Sequence, residues 1–400
     1  MTRCLRSTGG IPLHGPAPGA WLMPALLLLA PLSGCVSLPT REQLASLPAP
    51  HTGLPASDAV VDGRDRFRQI FCSVLSREGE VGPAGRPCAG WLWNLGDETA
   101  SGQRPLPEAD RSMQVVLVPG AFSECLGDYG RPFNDAATGL REAGYRISTV
   151  VVSGRSGSDY NARQIAEQLA AIAPQQAGPL VLVGYSKGAN DILEFLVRNP
   201  GLAARVEAVV SVAGAIGGSP MAAQAAGVYD LLLDSIPNSR CAPGDKQLID
   251  SLTTEARQAW LAGNPLPAHV QYYSLAAFTT RPRIAAALAP VWKLLLAHDL
   301  RNDGQLLARD QLIPGATLLG YADADHWSVA VDVEVVHPFL GVRRDKAPFP
   351  RAALLESILL QVAEGRAAQS TAGGNSTWAA SSPSSRSMRR ALSAEDTRRY

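Results

Sequence analysis

Two hydrophobic rhythms alternate along the chain. Continuous apolar or β-branched runs occupy Val115–Val118, Tyr145–Val152, Leu180–Val183 and Val206–Val212, and later Val270–Ala276 and Thr317–Tyr321. Runs of this kind suit parallel strands that are buried on both faces. Between them, apolar residues recur at helical spacing over Asn134–Glu142, Asn161–Ile172 and Asp191–Val197, and further on over Ala285–Leu296 and Ala352–Glu364. Strands alternating with helices predict an α/β fold: a mostly parallel sheet with helices on both faces. The rhythm breaks between Gly218 and Pro267, where helical stretches near Met221–Leu233 and Lys246–Leu261 predict a helical cap insertion over the sheet, residues 218–267.

The ends read differently from the middle. Arg3 and Arg6 precede an apolar, Leu-rich stretch from Trp21 to Leu32, which small residues Ser33 and Gly34 close before Cys35. A short apolar run with a positive flank reads as a secretory signal over residues 1–34, too short for a comfortable transmembrane helix. The tetrad Leu32-Ser33-Gly34-Cys35 resembles the bacterial lipobox, in which the Cys thiol takes a lipid and becomes the new N-terminus. That resemblance implies a lipid-anchored protein of the bacterial envelope. Val36 rather than Asp after the Cys favours the outer membrane, facing the periplasm. Residues 35–62, rich in Pro, Ala and Ser, are expected to be a tether. Phe67, Ile70, Phe71, Val74 and Leu75 predict a helix from Arg64, within an N-terminal helical appendage over residues 63–110. The main domain is expected over residues 111–366. The Ser- and Ala-rich tail, residues 367–400, is expected to be disordered.

Composition narrows the options. Hydrophobic residues make up 46% and charged residues 18%, enough apolar material for a sizeable core. Basic and acidic residues balance at 36 each, and no basic stripe interleaves with aromatics, so nothing points to nucleic acid. Of six cysteines, Cys4 lies in the signal and Cys35 carries the lipid. Cys72, Cys88, Cys125 and Cys241 remain, an even number in an oxidising compartment. They allow three pairings. Cys72–Cys88, close in sequence, and Cys125–Cys241 are the favoured ones, with free buried thiols as the alternative. No Cys-x-x-Cys or Cys/His cluster suggests a metal.

The candidate chemistry begins at Gly184-Tyr185-Ser186-Lys187-Gly188, a Gly-x-Ser-x-Gly motif that directly follows a buried run and opens a helical one. A strand–turn–helix setting is what a nucleophile elbow needs, and its flanking glycines make room for the sharp turn. An ordinary Gly-rich turn or phosphate cradle is the alternative. A serine hydroxyl needs a neighbouring base. Among six histidines, His326 stands just after the last predicted strand, in Asp323-Ala324-Asp325-His326-Trp327, where a loop can reach the elbow. Asp303, in Asn302-Asp303-Gly304, is the candidate acid that orients the imidazole. Asp310 is the second choice, Asp325 is too near His326 to orient it easily, and Asp230 or Asp234 would serve from an earlier strand. The oxyanion donors are expected to be the backbone N–H of Lys187 and that of Ala121, with Phe122 next after Ala121, in Pro119-Gly120-Ala121-Phe122. The Lys187 side chain is expected to face solvent.

These segments, together with Val212-Ala213-Gly214-Ala215-Ile216-Gly217-Gly218-Ser219-Pro220, resemble the α/β-hydrolase superfamily and its bacterial lipase-like branch over roughly residues 114–364. The order Ser, Asp, His is that of the superfamily. Pro119-Gly120 stands where that branch usually has His-Gly, and Lys187 where it usually has Gln, His or Met. The resemblance implies a serine esterase acting on lipid or acyl esters through Ser186, His326 and Asp303, with no metal or cofactor required. A peptidase, thioesterase or acyltransferase on the same residues, and a non-catalytic envelope lipoprotein of this fold, are the alternatives.

Overall fold

The computed structural model describes residues 38–77, 87–172, 178–222, 242–332 and 348–376. The strands are β1 (Val61–Asp62), β2 (Gln114–Val118), β3 (Arg146–Thr149), β4 (Leu180–Tyr185), β5 (Val206–Val212), β6 (Gln271–Ala277) and β7 (Thr317–Ala322). They form one seven-stranded sheet in the order β1-β7-β6-β5-β4-β2-β3. Every neighbouring pair is parallel, so the sheet is fully rather than mostly parallel. The six runs read from the sequence lie on β2 to β7. The exception is β1, whose two exposed residues carry no periodicity to read.

Helices α1 (Arg41–Ser46), α2 (Arg64–Arg77), α3 (Asn134–Glu142), α4 (Ser158–Ile172), α5 (Lys187–Arg198), α6 (Thr254–Gly263), α7 (Ala289–Leu295) and α8 (Arg351–Ser376) surround the sheet. Alternation along each strand divides the core in two. Val115, Leu117, Val181, Val183, Val210 and Val212 face α2, α3 and α8. Val116, Val118, Leu182 and Val209 face α4 and α5, with Trp260 and Leu261 of α6 packed against the same cluster. Strands covered on both sides in this way are apolar at most positions, which is why they read as nearly unbroken runs.

Four boundaries differ from the sequence expectation. Residues 63–110 are not an appendage: Phe67, Ile70, Phe71 and Val74 of α2 belong to the main core, and Arg66 meets Glu364 of α8 at 2.8 Å. The described part of the expected tether is also built in. Thr40 caps α1 through a reciprocal capping box, and β1 pairs with β7. Leu44 and Ala49 enter a satellite core with Trp93, Phe278 and Tyr321. A Pro- and Ala-rich composition hides such anchoring, because two or three well-placed apolar residues suffice for it.

In the expected cap, Lys246–Leu261 holds a short 3-10 turn at Asp250–Leu252 and the start of α6, which falls between β5 and β6 and packs Trp260 and Leu261 against the core cluster of Val116, Leu182 and Val209. Most of the other expected cap helix, residues 223–233, lies outside the described residues. Finally, α8 continues to Ser376, past the expected end of order at 366.

Cys72 and Cys88 form a disulfide with Cα atoms 5.4 Å apart, tying α2 to the segment that follows it. Cys125 is disulfide-bonded as well. Its expected partner Cys241, like the signal segment and Cys35, lies outside the described residues.

The Cys72–Cys88 bridge spans a sequence separation of 16. A cross-link of that span restricts the unfolded chain by about 3 kcal/mol. The variant Cys72→Ala/Cys88→Ala is therefore expected to lose about that much unfolding free energy in urea titrations. An unchanged midpoint would show that the bridge contributes nothing.

Candidate active site

The strand-to-helix turn between β4 and α5 places Ser186 at φ 54, ψ −128, a conformation that side chains rarely adopt. Its neighbours explain how the turn closes. A Cβ on Gly184 would lie 2.5 Å from Ala189 Cα, and one on Gly188 would lie 2.3 Å from the Val118 carbonyl oxygen. Only glycine fits either place. The Ser186 N–H donates to the Val212 carbonyl at 3.1 Å, and its own carbonyl accepts from Ala189 and Ala215, both at 3.1 Å. The hydroxyl is left at the carboxyl end of the sheet.

His326 follows β7 on a loop that is held at several points. The Tyr185 hydroxyl donates to the His326 carbonyl at 2.7 Å. Asp325 accepts from the Ala285 N–H at 2.7 Å and from the Ser328 N–H at 2.8 Å. Burial pushes the Asp325 carboxyl up, and these donors oppose the shift. Asp323, at the start of the loop, pairs with Arg41 of α1 and accepts from the Thr279 hydroxyl at 2.6 Å.

The imidazole Nε2 lies 2.8 Å from Ser186 Oγ, and Nδ1 lies 2.7 Å from Asp303 Oδ2. Nδ1 facing a carboxylate fixes the tautomer: Nδ1 carries the hydrogen and Nε2 accepts from the serine hydroxyl. The other Asp303 oxygen, Oδ1, accepts the N–H groups of Gln305 at 2.8 Å and Leu306 at 2.7 Å, which leaves Oδ2 aimed at the ring. Gln311 Nε2 lies 3.3 Å from Oδ2 and also donates to the Ala277 carbonyl on β6, while Gln311 Oε1 accepts the Ala277 N–H. Gly304 adopts φ 97, so the turn behind Asp303 requires a glycine.

The expected oxyanion donors flank this centre. Gly120 lies so close that an added Cβ would be 2.9 Å from Ser186 Cβ. The Phe122 N–H is committed to the Gly154 carbonyl at 3.0 Å, which removes it as an alternative donor. The N–H groups of Ala121 and Lys187 donate to no atom among the described residues. The Lys187 side chain corrects the sequence reading: it is buried at 1% exposure and pairs with Asp191 at 2.5 Å rather than facing solvent.

The other histidines and the alternative acids fall elsewhere. His51 meets the Tyr321 hydroxyl, and His269 the Ala203 carbonyl. His337, Asp230 and Asp234 lie outside the described residues. Among the described residues no cluster of three or more His, Cys, Asp or Glu side chains could hold a metal. Sequence reasoning missed Tyr185, Gln311 and Gly154 as supports. Tyr185 sits inside the motif and could have been asked for a role. Gln311 and Gly154 carry no local signal.

Asp310, the second-choice acid, does not touch His326. It packs against Gly217, and burial pushes its carboxyl up to about 6. A carboxyl raised in the folded state contributes stability that is present below its unfolded value near 3.8 and is lost as pH rises through about 6. Asp310→Asn is therefore expected to raise the thermal midpoint at pH 7 more than at pH 4. An equal change at both pH values would refute the assignment.

No family model and no curated relative matches this chain. Among solved structures, the metagenomic carboxyl esterase MGS0156 is 39% identical at a TM-score of 0.71, covering 80% of this chain and 98% of that one. The Bacillus licheniformis lipase BlEst2 in mature form is 21% identical, with TM-score 0.45, over 56% of this chain and 89% of the lipase. The Staphylococcus hyicus lipase is 12% identical, with TM-score 0.46, over 67% of this chain and 100% of that one. The assignment rests on the first of these, whose identity and coverage show the family: the chain belongs to the carboxyl esterases of the α/β-hydrolase fold.

Proposed function

We propose that the protein is a serine carboxylesterase in which Ser186 is the nucleophile, His326 the general base and then acid, and Asp303 the group that orients the imidazole. The observation that carries this reading is the pair of hydrogen bonds, 2.8 Å and 2.7 Å, that joins three side chains from separate loops. Ser186 Oγ attacks the ester carbonyl while Nε2 takes its proton. Oxygen charge develops on the carbonyl and is met by the N–H groups of Lys187 and Ala121. The Lys187 donor stands at the N-terminus of α5, where the helix dipole adds to it. Collapse expels the alcohol, protonated by His326, and leaves an acyl-serine. Water, deprotonated by the same imidazole, then releases the acid. Acyl transfer of this kind needs no metal or cofactor.

Lipid or other acyl esters are the proposed substrates. The tetrad ending in Cys35 supports a lipid-anchored enzyme on the periplasmic face of the outer membrane, held beside such substrates. Mass analysis of Cys35 after membrane extraction tests the anchor. A panel of acyl esters, thioesters and peptides separates an esterase from a thioesterase or peptidase, and added alcohol acceptors reveal acyl transfer.

A fluorophosphonate probe is expected to label wild type at Ser186 and to leave Ser186→Ala unlabelled. Hydrolysis of a p-nitrophenyl ester is expected to fall with it by about 10⁶-fold in kcat at an unchanged fold. Wild-type turnover in Ser186→Ala would end the proposal. Asp303→Asn keeps the shape but allows the wrong tautomer, and is expected to lower kcat by about 10⁴-fold. Full activity in that variant would remove Asp303 from its role.

A further inference from the structure

The Lys187 side chain has no evident reason to be where it is. It occupies the first turn of α5, where a cation opposes the helix dipole, and it is 1% exposed, where an ammonium loses its hydration. Burial pulls Lys187 below its ordinary value and pushes Asp191 above its own, and their mutual attraction opposes both shifts.

Its connections run from one expected oxyanion donor to the other. Lys187 Nζ donates to Asp191 Oδ1 at 2.5 Å. Asn161 Nδ2, on α4, donates to Asp191 Oδ2 at 2.7 Å and to the Ser153 carbonyl at 3.1 Å. The next residue, Gly154, accepts the Phe122 N–H at 3.0 Å, and Phe122 directly follows Ala121. Gly154 fits so closely that a Cβ there would lie 2.7 Å from Phe122 Cα. The loop that carries Ser153 is fixed on its far side as well: Asp245 accepts the Gly157 N–H at 2.9 Å and donates its own N–H to Ser156 Oγ at 3.0 Å.

We propose that Lys187, Asp191 and Asn161 form a buried positioning network that sets the separation between the N–H groups of Lys187 and Ala121, and so tunes the oxyanion site. The proposal rests on the hydrolase reading of Ser186. The two donors come from separate segments, after β2 and after β4. The elbow is pinned through the Ser186 carbonyl to Ala189 and Ala215, and the Ala121 turn is pinned to Gly154. The network joins those two fixed points. Donors must stand about 2.7–3.1 Å from the developing oxyanion, so a small drift between the segments weakens the transition state while leaving ground-state binding intact.

The test uses the full chain. Lys187→Met/Asp191→Asn removes both charges together, so that no lone charge is stranded. It is expected to lower kcat for a p-nitrophenyl ester by roughly tenfold to a hundredfold, with KM changed less than about twofold. Affinity for a boronic acid that forms a tetrahedral adduct on serine is expected to fall by the same factor as kcat/KM. The acid limb of the pH–rate profile should stay in place, because the His326–Asp303 contact is untouched.

Asn161→Ala breaks the path at a neutral link with the ion pair intact. It is expected to give the same pattern at smaller size, and it decides the matter if the double variant does not fold. A folded variant with unchanged kcat and boronate affinity would overturn the proposal, as would a change in KM alone. A purely structural role would lower the thermal midpoint without this split. Wild type that takes no probe at Ser186 overturns the hydrolase reading itself, and the network with it.

Discussion

The left-handed backbone at Ser186 is the constraint on which the rest of the structure turns. A residue with a side chain in a sparsely populated region costs on the order of 1–3 kcal/mol and persists only if its surroundings leave no alternative. Those surroundings are specific. Gly184 and Gly188 allow α5 to press against β4 and β2, and Val212, Ala189 and Ala215 take the backbone groups of Ser186. Each of these contacts requires β4 to lie between β2 and β5, which is the observed order. The parallel sheet is therefore more than a platform. Its strand order and its close helix packing make a strained serine the low-energy outcome.

A second consequence of the same geometry is economy of charge. On the proposed reading, oxygen charge beside Ser186 would face backbone N–H groups, and the ionic side chains around it are already engaged. Asp303 spends one oxygen on two backbone donors and the other on the imidazole and Gln311. Asp325 is occupied by Ala285 and Ser328, and Lys187 by Asp191. The ionic groups named here are internally paired, which on the proposed reading suits an uncharged acyl substrate better than a salt.

Legibility in the sequence followed the range of the interactions. β2 to β7 could be read because burial on both faces writes itself into consecutive residues. The elbow could be read because steric exclusion forces glycine two places either side of Ser186. The positions of His326 and Asp303 followed from chain order and from the loops after strands. What could not be read depends on contacts distant along the chain. Gln311 supports Asp303 only because Ala277 stands opposite it. β1 exists because β7 offers it a free edge. Lys187 shows an i,i+4 acid at Asp191, a surface pattern in most helices, and only Asn161 and the Ser153 carbonyl reveal it as interior. Pro- and Ala-rich composition in residues 38–62 concealed Leu44 and Arg41 for the same reason.

Arg41 carries a consequence of its own. It lies six residues past Cys35, at the start of the first described helix, stacked 4.1 Å over Trp93 and paired with Asp323 on the loop that delivers His326. The first described helix and the loop that carries His326 are thus directly joined, so a change at Arg41 reaches that loop as well as α1.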